Sequence, residues 1–579
     1  MVTMVRVFLS IRWIFSGGVI LLGALNLVFP EQLVSRAYLL AEAPTANIWL
    51  IQALGVALIG TGLALLTDPR SDTAPPAWAF LLITGVTICY FLVLGLHLQD
   101  WWIDDAGITF AYSRSLADGL GLVAQPWLPA EEGYSSSTWM LLLSFAARLG
   151  ADIPIAAKYL GIGCSVLCIC ICAWIVSRET RSPLALLICG TGIATGPTVV
   201  WAVSGQEHAL QALILLLAVL CVYLFEHWRW PVAVILSVFV LTRPEAPIIV
   251  IGVFCAAVFL TRGRGGRLIN AADIAVALVP FLTFLALIAF RMAYFGDPMP
   301  NPFYAKSSGT GLTGLFNPLG GGWAYILSGL RDTALLSVLG LAFVIRTRPL
   351  PPWIIVAIAI LLAHVFFVIW AKGDWMGQYR FLMPVLPIAL LVASLGLRGL
   401  SSYAVRAGFS TVAVLIVLHT TALQLAGFKA SPTTPLAAVV AVGNTFQTLS
   451  ERLEIEDPLL AHHDAGGIAY HRMIRLADLG GLINRTIAKN MDDKAFLTTY
   501  LLEDVQPDFF FGGRNFAAAS GFSDTEAFAA DYAPLEFIDM PHMRSDLAYI
   551  RRSRVREAQG VEPVYDDKGA LASVRIDIQ

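Results

Sequence analysis

The sequence predicts a polytopic α-helical membrane protein that ends in a soluble α/β domain. Three observations carry this expectation. Only 14% of the 579 residues are charged and mean hydropathy is +0.72, whereas soluble globular proteins carry about 25% charged residues. Apolar runs near twenty residues recur along the first ~430 positions, the length a helix needs to cross about 30 Å of hydrocarbon. Beyond that point helix-like stretches (435–453 and 492–503) alternate with strand-like ones (509–511, 547–550 and 573–576), the pattern of a small α/β domain. The net charge of −3 leaves no broad basic field, so a nucleic-acid partner is excluded.

The first apolar segment, near 8–29, is too long for a signal-peptide core. Pro30-Glu31 offers no small-x-small cleavage site, so the segment reads as a retained helix. With 47–66 it makes an extra N-terminal hairpin within 1–70. Further spans are expected at 76–98, 156–177, 182–200, 209–226, 269–290, 330–346, 353–371, 381–397 and 404–426. The runs 231–242 and 246–261 are short and read as a broken or re-entrant element; 138–149 is too short to span. The count is about 11–13 transmembrane segments. The organisation is then 1–70, a main membrane region 71–427 with a first outer loop at 100–137, and a soluble domain 428–579.

Orientation follows from basic residues in short loops. Arg6, Arg12, Arg70, Arg178, Arg181, Arg229, Arg262, Arg264, Arg267, Arg346, Arg348, Arg398 and Arg406 fall in alternate loops, which fit one cytoplasmic side. The N-terminus is therefore expected inside and the C-terminal domain outside. All eight cysteines lie in expected spans, so Cys168-Ile169-Cys170-Ile171-Cys172 reads as small apolar packing, with no disulfide or zinc framework. In the first outer loop Ile108, Tyr112, Leu116 and Leu120 recur every four positions, which predicts a helix lying along the membrane surface.

Charges near membrane depth are functional suspects. The strongest are Asp104 and Asp105, adjacent carboxylates behind Trp101-Trp102. Like charges this close raise one another's pKa, which suits a base near neutral pH; helix capping would need only one of them. Asp374, Trp375 and Arg380 lie together in Gly373–Phe381. Asp374 and Arg380 can pair with each other, and an arginine fork also fits a phosphate. The run Tyr294–Lys306 carries three prolines in five residues, which fix an extended path, with Asn301, Tyr304 and Lys306 beside it. Lys306 can meet a phosphate or snorkel at the interface. Glu207 follows Ser204-Gly205-Gln206 at the outer end of two spans. Arg243 and Glu245, around Pro244, can satisfy each other inside an apolar stretch. The run His462-His463-Asp464 looks like metal ligands, but with no second distant cluster it reads as a strand-end turn leading into a helix.

In order and spacing these pieces resemble GT-C superfamily membrane glycosyltransferases, most closely the bacterial arabinofuranosyltransferases that use decaprenyl-phosphate arabinose. The likeness rests on Asp104-Asp105-Ala106, Phe110–Arg114, Ala117–Val123, Glu132–Ser136 with Tyr134, Ser204–Glu207, Leu241–Glu245, Tyr294–Lys306, Gly373–Met376, Tyr379–Phe381, Asp464–Ile468 and Asp478–Leu482. It runs from about residue 76 to about 510 and omits the first spans. His208 and Gln206 depart from the pattern, where a small residue and Met are expected.

The resemblance implies a GT-C-like helical fold and a transferase acting outside the cytoplasm, embedded in the bilayer. A polyprenyl-phosphate sugar would be the donor, and a hydroxyl of a cell-envelope glycan or exported protein the acceptor. Asp104 and Asp105 would be catalytic, and Lys306 and Arg380 would offset charge on the departing phosphate. Glu207, Asp374, Tyr304, Asn301, Trp375 and Tyr134 would contact sugar or acceptor. No metal ligand set is assigned, although a divalent cation is compatible with these carboxylates. Inverting and retaining outcomes both remain open. Rival readings are a GT-C transferase for another lipid-linked sugar and a transporter or flippase of lipid-linked saccharides. Transporters place broken helices near the midplane in repeated halves, whereas here the polar groups gather on one expected side and no repeat is found.

Overall fold

The computed structural model describes residues 16, 19–21, 24, 48–68, 75–262, 269–307, 321–512 (save 333, 348 and 401), 525–540, 543 and 548–578. The expected span 8–29 lies largely outside the described residues, as do Arg6, Arg12, Arg70, Arg264, Arg267 and Arg348. The chain folds as two compact units. One comprises 1–100, 158–284 and 310–433; the other comprises 101–157, 285–309 and 434–579.

The first unit is helical and apolar. Among the described residues, five helices are long and apolar enough to cross a membrane: Ala77–Leu96, Ile153–Thr180, Ala271–Phe295, Pro352–Trp370 and Tyr403–Ala430. The helices Pro183–Ile193 and Gly196–Val203 make a sixth if counted as one span bent by 52°. Pro197 explains the bend, because it lacks the N–H that would continue the preceding helix. His208–Leu224, Arg229–Thr242 and Ala246–Arg262 are shorter apolar helices. The last two break at Arg243-Pro244-Glu245, as the sequence predicts. Helix Ala271–Phe295 exposes Leu278, Phe281, Leu282 and Leu285, an apolar face suited to lipid. A buried charge pair lies inside this unit: Arg229 bonds the buried Asp273 and donates to Thr261 Oγ1 at 2.8 Å. The chain is a multi-pass membrane protein.

The second unit gathers the first outer loop, the Tyr294–Lys306 segment and the tail. Five of its helices are used below: α1 (Asp104–Ala117), α2 (Ser137–Arg148), α3 (Asn301–Ser307), α4 (Leu436–Arg452) and α5 (Gly466–His471). Its strands are β1 (Leu459–His462), β2 (Arg475–Asp478), β3 (Phe509–Phe511), β4 (Tyr532–Phe537), β5 (Ala548–Arg551), β6 (Val561–Tyr565) and β7 (Leu571–Ile576). They form one mixed sheet in the order β2-β1-β3-β5-β4-β7-β6. β1 runs parallel to β2 and β3, and β5 is antiparallel to β3 and β4. Helix α4 places Val439, Val442, Phe446 and Leu449 on one face, at the three-and-four spacing of a helix that covers a core. Phe446 sits 5.2 Å from Phe509, ring centroid to centroid.

One expectation is corrected here. The apolar face of α1 does not lie along a membrane surface. Ile108 and Tyr112 are buried in the same core as α4 and the sheet, and only Leu120 stays exposed. A folded domain sharing its core offers these side chains a drier, closer-packed partner than the headgroup region.

The first loop and the tail are joined along the backbone as well. Trp102 O accepts from Leu436 N–H at 2.8 Å, and Asp104 N–H donates to Thr434 O at 3.0 Å. Here α1 meets α5 glycine to glycine. A Cβ at Gly107 would stand 2.5 Å from the carbonyl carbon of Gly466, and one at Gly466 would stand 1.8 Å from the carbonyl oxygen of Asp104. Neither position accepts a side chain. Overpacking of this kind costs about 1–3 kcal/mol. Gly466→Ala is therefore expected to lower the apparent Tm of the purified protein by roughly 2–12 °C. Gly427→Ala, in open space on helix Tyr403–Ala430, should cause no loss in the same thermal-unfolding measurement.

Candidate active site

The Asp104–Asp105 pair opens α1. Ile103 supplies the extended residue before the helix, and the two aspartates fill its first turn, where negative charge is favoured. Their surroundings differ. Asp104 is only 3% exposed. Its Oδ2 accepts from Gly466 N–H at 2.9 Å and its Oδ1 from Gly467 N–H at 2.7 Å, so the carboxylate closes the start of α5, 362 residues away. Burial pushes the Asp104 carboxyl well above its usual range; the neighbouring Asp464 and Asp105 charges add to the rise, and the two amides oppose it. The Asp105 side chain is 26% exposed, with Lys306 Nζ of α3 at 3.9 Å.

Elsewhere in the unit other ion pairs form. Glu132 holds Arg291 through two bonds of 2.6 and 3.1 Å, both groups buried. Asp297 is bound by Lys489 and by Tyr304 Oη at 2.6 Å, with Arg485 at 3.9 Å. Burial pushes the Asp297 carboxyl up, but the bonds from Lys489 and Tyr304 outweigh it and leave it below its ordinary value. Tyr304, expected at the sugar, therefore orients Asp297 and carries Lys489 over its ring at 4.8 Å. Asn301 is fully buried: its N–H donates to Glu132 O at 2.8 Å and its Nδ2 to Glu131 Oε2 at 3.4 Å. Tyr134 is core, edge-on to Tyr112 at 5.0 Å. Of the expected residues, this unit brings Asp104, Asp105, Lys306, Asn301, Tyr304 and Tyr134 together.

The remaining expected residues belong to the membrane unit. Arg380 Nη2 donates to Asp374 Oδ1 at 2.8 Å; its Nε stands 2.6 Å from Oδ2 but too bent for a hydrogen bond. The pairing read from sequence is thus present. Arg380 also lies over the Trp201 ring at 5.7 Å. The turn that carries them is strained: Lys372, Gln378 and Tyr379 all take positive φ, as does Gly373. Non-glycine residues held there cost of order 1 kcal/mol or more each, and such strain clusters at functional sites. Trp375 in this turn is 74% exposed. Glu207 is buried and accepts from Arg243 Nη1 at 2.7 Å. Arg243 also bonds Glu245 at 2.9 Å, so the expected local pair is a triad with Glu207 as its third member.

Sequence reasoning set aside one group that the structure places beside Asp104 and Asp105. The run His462-His463-Asp464 does form the expected strand-end turn, between β1 and α5. Asp464 also lies within electrostatic reach of both aspartates: burial raises its carboxyl, and Asp105 raises it further while His463 lowers it. The signal was available, because Asp464–Ile468 is among the stretches that carry the family resemblance.

No family model matches the chain, and no curated protein matches it in sequence. Solved structures do match. ArnT from Cupriavidus metallidurans, bound to undecaprenyl phosphate, superposes with a TM-score of 0.54 at 13% identity, covering 83% of this chain and 100% of that one. The archaeal oligosaccharyltransferase AglB from Archaeoglobus fulgidus, in complex with an inhibitory peptide and a dolichol-phosphate, gives 0.47 at 11% identity over 83% and 72%. Arabinosyltransferase EmbB from Mycobacterium smegmatis gives 0.37 at 12% identity over 83% and 44%. Of these, the match to ArnT, above a TM-score of 0.5, shows that this chain shares that protein's fold.

The buried carboxyls of the soluble unit set a pH dependence. Burial raises Asp104, Asp464 and Glu132, and raises Asp478 from 3.8 to about 7. A carboxyl raised on folding keeps a proton that the unfolded chain releases. Its stabilisation is full below the unfolded value and is lost as pH rises through the folded one. Tm measured in detergent is expected to fall between pH 4 and pH 7, and Asp478→Asn should flatten that slope even if it lowers Tm throughout.

Proposed function

We propose that the protein transfers a sugar from a polyprenyl-phosphate donor to a hydroxyl of a cell-envelope glycan or exported protein, on the extracytoplasmic side of the membrane. The observation that carries this is the partly open Asp105 carboxylate, held beside Lys306 and next to an immobilised Asp104. In the transfer the bond from the anomeric carbon to the phosphate oxygen breaks and a bond to the acceptor oxygen forms. The acceptor's proton passes to the Asp104–Asp105 pair, and the phosphate leaves on its lipid with one more negative charge. Asp105 is the half of the pair open enough to reach a hydroxyl. Asp104 fixes the helix end that presents it. Lys306 meets the charge that grows on the phosphate, where a fixed cation is worth most. Asn301, Tyr304 and Tyr134 hold Glu132, Asp297 and Tyr112 in the same unit.

The sugar is proposed to be D-arabinofuranose, on the strength of the resemblance of its residue runs to decaprenyl-phosphate-arabinose enzymes. Membranes containing the protein should transfer pentose from synthetic polyprenyl-phosphate arabinofuranose to an acceptor glycan. Asp105→Asn is expected to reduce that transfer by about 10²–10⁴-fold with Tm unchanged. Asp104→Asn is expected to reduce it as well and to lower Tm, since an amide oxygen can satisfy only one of the two N–H donors. Full transfer by Asp105→Asn would remove that residue from the chemistry. Transfer of only a different lipid-linked sugar would leave the transferase and discard the arabinose.

A further inference from the structure

We propose that His462, His463 and Asp464 bind one divalent transition-metal cation, of the zinc or manganese class, at the end of β1. The three side chains each bring one ligand atom, and these atoms lie within 4.8 Å of one another with no ion present. His463 Nε2 and Asp464 Oδ2 are already 3.3 Å apart. Two ligands on a tetrahedral ion with bonds of about 2.0–2.2 Å stand roughly 3.3–3.6 Å apart, so this pair is at the spacing a shared ion requires. The third atom needs only a small side-chain adjustment.

The tautomer of His462 is also set for the task. Its Nδ1 lies 2.7 Å from the carbonyl oxygen of Phe511 on the adjacent strand β3. A carbonyl only accepts, so Nδ1 carries the proton and Nε2 carries the lone pair. A backbone carbonyl behind one imidazole nitrogen, leaving the other to a metal, is the usual support for a histidine ligand. The ring is buried and stands edge-on to His463 at 4.7 Å. Two imidazoles and one carboxylate form a mixed N/O set that suits zinc or manganese over calcium or magnesium. Three protein ligands also leave a coordination position open.

The surroundings call for positive charge. Asp464 repels both Asp104 and Asp105 electrostatically, and Lys306 stands 3.9 Å from Asp105. An ion at His462-His463-Asp464 would offset that repulsion next to the pair proposed to take the acceptor proton. The metal site itself does not depend on the transferase reading.

The test uses the full-length protein in detergent, stripped with a chelator. Zn²⁺ and Mn²⁺ are titrated by calorimetry, and Co²⁺ serves as a visible-absorption probe of nitrogen ligation. One ion per chain is expected, with a Tm rise on binding. His463→Ala and Asp464→Asn, both partly solvent-exposed positions, should each weaken binding at least about tenfold and abolish the Tm rise while leaving the metal-free Tm close to wild type. Absence of stoichiometric binding by the wild type, or unchanged affinity in both variants, overturns the proposal. No sugar donor enters the assay, so a negative result leaves the proposed transfer reaction standing and a positive one does not prove it.

Discussion

The soluble unit turns on one carboxylate with two backbone amides on it. Asp104 sits at the start of one helix and accepts from the first two residues of another, Gly466 and Gly467. The bond works only because Gly107 and Gly466 let the backbones come within contact of each other. A polar group this deeply buried is costly unless its oxygens are satisfied, and both of them are. The pair of glycines and the aspartate thus form one device. It also decides which of the two acidic side chains is spoken for and which faces outward.

Much of the fold was legible in the sequence. Apolar runs of the right length announce the spans, because a helix in hydrocarbon has to bond its own backbone along its whole length. The strand-like runs 509–511, 547–550 and 573–576 correspond to β3, β5 and β7. β1 and β2 escaped because each is only four residues long and ends in a polar residue, His462 or Asp478. The alternation that marks a strand needs more positions than that. The face Ile108–Tyr112–Leu116 was read as apolar, correctly, but periodicity says only that a face is buried and not what buries it.

The candidate site was legible in pieces and not as pairings. Local contacts such as Arg243 with Glu245 and Asp374 with Arg380 are two and six residues apart, so spacing alone suggests them. Asp105 with Lys306 and Asp104 with Gly466 join segments hundreds of residues apart, and nothing in one sequence encodes which distant partner is chosen. For the same reason Asn301 and Tyr134 were expected to contact sugar or acceptor, whereas one is bonded inside the unit and the other packs in its core.

The long separation between Asp104 and its amides has a consequence for biosynthesis. Asp104 leaves the ribosome 362 residues ahead of Gly466, a delay of about 20–70 s at ordinary elongation rates. For that interval the first outer loop has neither its backbone neighbours near Thr434 nor the core that covers Ile108 and Tyr112. The membrane helices can enter the bilayer one after another, but this loop has to wait. Its final shape is reached only after nearly all of the chain has been made, and a stalled or prematurely ended translation product carries the acidic pair without the framework that holds it.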